Sequence, residues 1–240
     1  MVKKLRAVYD REMFNPKFLG YFVNHVFIIR RGLYKAVYEN RHYLSGKLLD
    51  FGCGQKPYKK VIEVDEYIGL DIEKSGRSHK NDDIDVFYDG KTIPFKNNFF
   101  DSVLSTEVFE HIFNLDDILN EIYRVLKPGG YLVVTMPFIW PEHEIPFDSA
   151  RFTTFGLKWL VKNKTNFKVV KIKKTGNYVE TTFQVWINYI YQVVLPKNYF
   201  LKIILYAIFF SHLTAVTYLF SAILPKNDSL YLNNVLILRK

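Results

Sequence analysis

The chain has little cysteine: one residue, Cys53, in 240. That excludes an internal disulfide framework and suits a reducing compartment. Cys53 lies inside a glycine turn, where it reads as a small packing residue rather than a nucleophile. Acidic residues are fewer than basic ones, 24 against 33, for a net charge of +9. Such a balance invites a polyanion, either nucleic acid or an anionic membrane face. No Arg-rich arm and no zinc-finger spacing accompany it, so nucleic acid is the disfavoured partner. The basic start, Met1 to Arg6, is not followed directly by a long apolar run. Phe18 to Ile29 is apolar but broken by Asn24 and His25, with no small-residue cleavage site after it, so it reads as a helix and not a signal peptide. A third glycine is missing after Gly52-Cys53-Gly54: Pro57 stands where the dinucleotide fingerprint needs it, which disfavours NAD. Ile203 to Ile223 lacks Asp, Glu, Lys and Arg altogether.

What is present begins with Leu48-Leu49-Asp50-Phe51-Gly52-Cys53-Gly54-Gln55. It reads as a buried strand entering a glycine turn, where the backbone can approach a ligand closely. Asp71 follows about 20 positions later at the end of the next strand, the placement that suits ribose hydroxyls. Strands and helices then alternate. Strands are predicted at 47–51, 67–70, 84–88, 101–105 and 131–136. A helix is predicted at 115–126, with Asn114 as its cap and Lys127-Pro128-Gly129-Gly130 as its stop. This alternation implies an α/β fold on a mostly parallel sheet. A sixth strand is predicted at 167–173, and a seventh at 231–238 closes the sheet antiparallel.

The Asp-x-Gly-x-Gly turn resembles the first motif of the class I S-adenosylmethionine-dependent methyltransferases. Asp89-Gly90-Lys91-Thr92-Ile93-Pro94-Phe95, Phe100-Asp101-Ser102-Val103, Glu107-Val108-Phe109-Glu110-His111-Ile112 and Arg124-Val125-Leu126-Lys127-Pro128-Gly129-Gly130 follow in that family's order and spacing. They look like its type 11 group over residues 47–137. The resemblance implies a Rossmann-like seven-stranded, mostly parallel sheet with an antiparallel last strand; apolar recurrence adds N-terminal helices, and an apolar helical insertion before the last strand departs from a minimal methyltransferase. The resemblance also implies S-adenosylmethionine as cofactor. Asp50, Gly52 and Gly54 would line its methionine and ribose side, Asp71 would take the ribose hydroxyls, and Ile72 would pack on the adenine. Asp89 would accept from the adenine amino group beside Gly90, although Asp-Gly is also a common turn. Ser105 and Thr106, leading into Glu107, would border the sulfonium. The polar stretch 74–81 departs from the pattern, and the helix there is expected to be reduced to a loop.

Two groups of residues could carry chemistry. Glu107, Glu110 and His111 share one face if helical. Adding His143 makes a two-Glu, two-His set that suits a divalent ion, and the E-x-x-E-H arrangement resembles metal-using methyltransferases. Glu-His recurs equally in relatives without evident metal, and the first reading places none here. The second group is the loop Trp140 to Thr154. It resembles the H-E-x-P-x-D-x-x-R-x-T segment of methyltransferases associated with surface-polysaccharide pathways. His143 is the first choice of general base. Arg151 could hold a phosphate or carboxylate, or pair with Asp148 to brace the loop. Thr153 or Thr154 would cap the next helix.

The expected organisation is an N-terminal helical lid at 1–46, a core at 47–174 and 229–240, and an apolar helical insertion at 175–228. Within it, Ile203 to Ile223 is about the length of a bilayer span, interrupted by Ser211, His212, Thr214 and Thr217. Its flanking strands must return to one sheet, however, so a hairpin is predicted that lies on a membrane interface, roofs the pocket or forms a homodimer contact. Lys197, Lys202 and Lys226 flank it and suit anionic lipid. The function expected is O-methylation of a hydroxyl on a saccharide, lipid-linked glycan or related amphiphile. The protein would be cytoplasmic, peripheral on the membrane face. The rivals are a metal-assisted O-methyltransferase on a quinone-like small molecule and a non-catalytic cofactor-binding subunit. RNA methylation lacks its Asn/Asp-Pro-Pro-Tyr motif: the chain reads Ser105-Thr106-Glu107-Val108 there.

Overall fold

The computed structural model describes residues 11–76, 79–80 and 82–240. The basic start Met1 to Arg6, the first ten residues of the expected lid, and Arg77, Ser78 and Asn81 of the polar stretch lie outside them. The chain divides into two compact units, residues 1–35 with 174–233, and residues 36–173 with 234–240.

The second unit holds a seven-stranded sheet: β1 (Lys47–Phe51), β2 (Glu66–Ile72), β3 (Val86–Tyr88), β4 (Phe100–Thr106), β5 (Leu126–Pro137), β6 (Lys168–Thr175) and β7 (Asn233–Arg239). Their order is β3-β2-β1-β4-β5-β7-β6. β1 pairs parallel with β2 and β4, β2 with β3, and β4 with β5. β7 runs the other way. Its beginning meets the end of β6, where Leu232 N donates to Thr175 O, and its end meets the start of β5, where Lys240 N donates to Gly130 O. The sheet is therefore the Rossmann-like α/β arrangement predicted. Leu48, Leu49, Val103, Leu104, Leu132 and Val133 are fully buried, as strands covered on both faces require. Each such side chain contributes about 1.5–3 kcal/mol.

The helix Leu115–Val125 buries Leu115, Ile118, Leu119, Ile122 and Val125 on one stripe. Asn114 stands at its N-cap but makes no side-chain cap bond, a correction to the expected cap. The helix stops at Val125, and Lys127-Pro128-Gly129-Gly130 instead forms an irregularity inside β5: Phe100 faces Leu126, but Ser102 faces Tyr131. Several signature residues hold the sheet together. Asp101 accepts from Lys47 N and Lys127 Nζ. Arg124 donates to the carbonyls of Ile93 and Phe95. Among the described residues no helix joins β2 to β3, as the polar stretch suggested. The helix after the substrate loop, Thr154–Lys164, is capped by Thr153, whose Oγ1 accepts from Gly156 N at 3.0 Å.

The first unit is helical. The apolar stretch from Phe18 is two helices rather than one, Phe18–Val23 and Phe27–Asn40, the second crossing the unit boundary. Asn24 makes the break. Fully buried, it donates to Glu12 O and accepts from Val26 N. The insertion folds as an antiparallel hairpin. One arm is Tyr178–Tyr189 extended by a π turn to Val194. The other is Tyr199–Leu205, a π turn through Phe210, and His212–Ile223. Asn177 and Glu180 form a capping box, and both reach Ser221 at the far end of the second arm. Tyr191 meets Tyr206 at the opposite end, with ring centroids 5.6 Å apart. Among the described residues no single helix is long and apolar enough to cross a membrane; the second arm reaches that length only as a pair bent by 42°.

His25 gives this unit an acid-sensitive point. Its ring stacks on Tyr191 at 3.6 Å, and burial, with Lys202 and Arg30 nearby, pushes its pKa down to about 3. An unfolded histidine titrates near about 6.5. The fold thus favours the neutral ring: the stabilisation is complete above about pH 6.5 and is lost as the pH falls toward about 3. Urea unfolding at about pH 4.5 is expected to show a loss of about 2 kcal/mol relative to neutral pH, and His25→Phe should flatten that slope. An unchanged slope in the variant contradicts this assignment.

Candidate active site

β1, β2 and β4 end at the same edge of the sheet, where the strand order reverses; ligands bind at such an edge in open α/β sheets. A cleft of about 650 Å³, measured out to its open mouth, lies there. Its wall is formed by Phe51 and Gly52 after β1, Asp71, Ile72, Lys74 and Ser75 after β2, Tyr88 from β3, and Glu107, Val108, His111 and Ile112 after β4. Glu144 and Phe147 come from the loop after β5.

Gly52 has φ +72°, and a Cβ there would lie 2.3 Å from Cγ2 of Val108. Gly52→Ala would combine a left-handed backbone with overpacking, and an expected loss of about 2–4 kcal/mol can be read from denaturant unfolding. Unchanged stability would show that the turn tolerates a side chain. Asp71 is buried, and both its oxygens accept backbone bonds, Oδ2 from Gly54 N at 3.0 Å and Oδ1 from Ile72 N at 2.8 Å. The carboxylate thereby fixes the glycine turn.

The other expected cofactor residues are placed differently. Asp50 and Gly54 lie behind the wall. Asp50 accepts from Tyr67 Oη at 2.6 Å, and burial pushes its pKa up to about 7 against that hydrogen bond, with Asp71 adding to the rise. Ser105 is fully buried and Thr106 half-buried, and neither lines the cleft. Asp89 and Gly90 also stand off the wall. Asp89 Oδ1 accepts from Thr92 N and Lys91 N at 2.8 Å each, which holds the carboxyl below its usual range. Asp89-Gly90 thus forms a tight turn. Cys53 is buried, and burial raises its thiol, as expected of a packing residue. Tyr88, Lys74, Ser75 and Phe147 line the cleft without having been singled out from the sequence. Tyr88 had one signal, an aromatic ring at a strand end.

Glu107 ends β4 with φ +55°, a conformation a side chain adopts at a cost of about 1–3 kcal/mol, and it points into the cleft. Phe109–His111 is one 3-10 turn, not the α-helical face expected. It nevertheless brings Glu110 and His111 to His143. Each offers one ligand atom, all within 4.8 Å of one another, so these three could hold a divalent ion; Asp71, His79 and Asp82 form a second such group. Glu110 is fully buried, neither carboxylate oxygen makes a hydrogen bond, and burial together with Glu107 drives its pKa well above the carboxylate range. His111 Nδ1 lies 3.2 Å from Phe147 O, and its Nε2 is 3.7 Å from Glu110 Oε1.

The loop after β5 docks on this turn through Glu110 O, which accepts from Ser149 N, Ala150 N and Ser149 Oγ. Asp148 accepts two bonds from the Arg151 guanidinium and one from His143 N. Arg151 therefore braces the loop. His143, the favoured base, is off the wall; its ring meets that of His111 edge-on at 4.8 Å. Burial, then His111, lowers its pKa while Asp148 opposes.

Residues 49–134 match the family model described as a methyltransferase domain. Over these residues the chain is similar to a methyltransferase domain, for which S-adenosylmethionine is the cofactor. The donor set of the cleft suits that cofactor: an acidic strand end for ribose, Ile72 and Tyr88 as apolar faces for a base, and a glycine turn. Among curated relatives, the methyltransferase domain is 32% identical over 139 residues to phthiotriol/phenolphthiotriol dimycocerosates methyltransferase 1 of Mycobacterium ulcerans, covering 53% of this chain and 51% of that protein. It is 30% identical over 149 residues to a fatty-acid O-methyltransferase of Mycolicibacterium smegmatis, covering 58% and 54%. The chain spans about half the length of these curated relatives. Its fold is similar to that of a S-adenosylmethionine-dependent methyltransferase from Archaeoglobus fulgidus, with TM-score 0.51 and 18% identity over 86% of this chain and 92% of that one. It is also similar to the cyclase SpnF, with TM-score 0.53 and 20% identity over 87% and 79%. At such identity the likeness is one of fold alone, and a fold hosts several chemistries.

Proposed function

We propose that the protein transfers a methyl group from S-adenosylmethionine to a hydroxyl of an amphiphilic acceptor, such as a lipid-linked glycan or a saccharide-bearing lipid. One observation carries this reading: Asp71 and His111 line the same cleft, so a ribose acceptor and a proton acceptor face one space. When bound, the cofactor supplies a methyl carbon on a cationic sulfur that departs as a neutral thioether. Phe51, Val108, Ile112 and Phe147 give the cleft apolar walls that exclude water. Holding acceptor and methyl in line contributes on the order of 7–11 kcal/mol. His111 takes the hydroxyl proton at Nε2, because Nδ1 faces the Phe147 carbonyl. Glu110 lies beside Nε2, and its carboxyl interacts with the imidazolium that forms. His143, Asp148 and Arg151 position the loop that carries Phe147.

The relatives named for phthiotriol dimycocerosates and fatty-acid methylation support a lipid-like acceptor. The test uses methyl-labelled S-adenosylmethionine with hydroxylated amphiphiles in micelles and with water-soluble sugars. Label partitioning into the organic phase supports the reading; label only in free sugars, or in neither, contradicts it.

The placement of Glu110, His111 and His143 favours a second reading, metal-assisted transfer to a quinone-like molecule. On that reading a chelator abolishes transfer and a divalent ion restores it. With His111 as base, chelation changes nothing.

A further inference from the structure

The helical hairpin of the first unit is built inside out. Thr181, Gln184 and Asn188 on its first arm, and Ser211, Thr214 and Thr217 on its second, are buried. Gln184 spends its amide on backbone, accepting from Ile29 N and donating to His25 O. Ile187, Tyr191 and Tyr206 share that interior, but many large apolar side chains point outward. On the second arm Phe200 is 76% exposed and Ile208 65% exposed, with Ile204 between them at four-residue spacing. On the first arm Trp186 and Val193 are exposed in the same way. A hairpin made for water places these groups the other way round. Polar and small groups between helices with apolar groups outside is the arrangement of helices packed in lipid.

Charge identifies the lipid. From Thr181 to Asn227 the chain has no Asp or Glu, and its charged residues are Lys197, Lys202 and Lys226. Lys197 stands in the turn at the hairpin tip, beside exposed Val193, Val194 and Phe200. Basic residues at the rim of an apolar surface attract anionic head groups. The bend of 42° in the second arm suits a hairpin that lies along one leaflet, with both ends at the head groups.

We propose that the hairpin 178–224 docks the protein on an anionic lipid membrane, with its outward apolar side chains in the acyl region of one leaflet and Lys197 and Lys226 among the head groups. This goes beyond the methyl-transfer reading and does not rest on it.

The test is flotation of the full chain with vesicles of phosphatidylcholine alone and of phosphatidylcholine and phosphatidylglycerol in equal parts. Cooperative urea unfolding of each sample serves as a check that the protein is folded. Wild type is expected to float with the anionic vesicles. Lys197→Gln and Lys226→Gln should each weaken that binding about five-fold, the equivalent of ~1 kcal/mol. The double variant F200E/I204E alters only exposed positions and should stay at the bottom of the gradient. Wild type that floats with neither vesicle overturns the proposal, as does a double variant that floats like wild type. A stable dimer in solution, broken by F200E/I204E, would show that a second copy covers this face and would equally overturn it.

Discussion

Asp71→Ala is expected to weaken S-adenosylmethionine binding by about 10²–10⁴-fold, since hydrogen bonds to a charged group are worth about 1.5–3 kcal/mol each and a ribose diol makes two. A second effect adds to the first. The carboxylate also accepts from Gly54 N and Ile72 N, so its removal loosens the glycine turn and the strand end together. Asp71→Asn keeps one carbonyl acceptor and should fall between wild type and Asp71→Ala. Calorimetric titration of the three proteins gives the order directly. Equal affinities across the series would place the ribose elsewhere.

His111→Ala is expected to lower kcat by about 10²–10⁴-fold, the range of a positioned general base, with cofactor affinity held within a few-fold. The split between kcat and cofactor affinity separates a proton acceptor from a wall residue. His143→Ala should act differently. His143 is off the wall, and both its backbone N and its ring Nδ1 face Asp148. Its loss should disturb the loop with a smaller fall in kcat. Identical falls in both variants would point to the histidines acting as one unit, as joint metal ligands do.

The sheet was legible because each strand announces itself locally. β1 carries Leu48, Leu49 and Phe51 straight into a glycine turn, and the helix Leu115–Val125 repeats its apolar residues at three and four positions. Asp71 was legible for the same reason, as an acid at a strand end. Asp89 carries two readings because an Asp-Gly turn and an Asp-Gly cofactor contact have the same sequence, and its two amides at 2.8 Å form the turn. Asp50 pairs with Tyr67 of the neighbouring strand, a partner that no local pattern announces. Lys74 and Ser75 carry no local signal, and neither does Phe147, since loop conformation alone brings them to the cleft. Arg151 was open to two readings, and its bond to Asp148 three residues away assigns it to the brace. The break at Asn24 was visible as a polar interruption, yet its cause, a buried amide serving Glu12 and Val26, depends on tertiary contacts.

The most direct measurement of the central claim is a calorimetric titration of the folded wild-type chain with S-adenosylmethionine. The account predicts saturable binding of one cofactor per chain, competed by S-adenosylhomocysteine. Absence of binding by protein that unfolds cooperatively would contradict it, and the cleft at the ends of β1, β2 and β4 would then serve some other ligand.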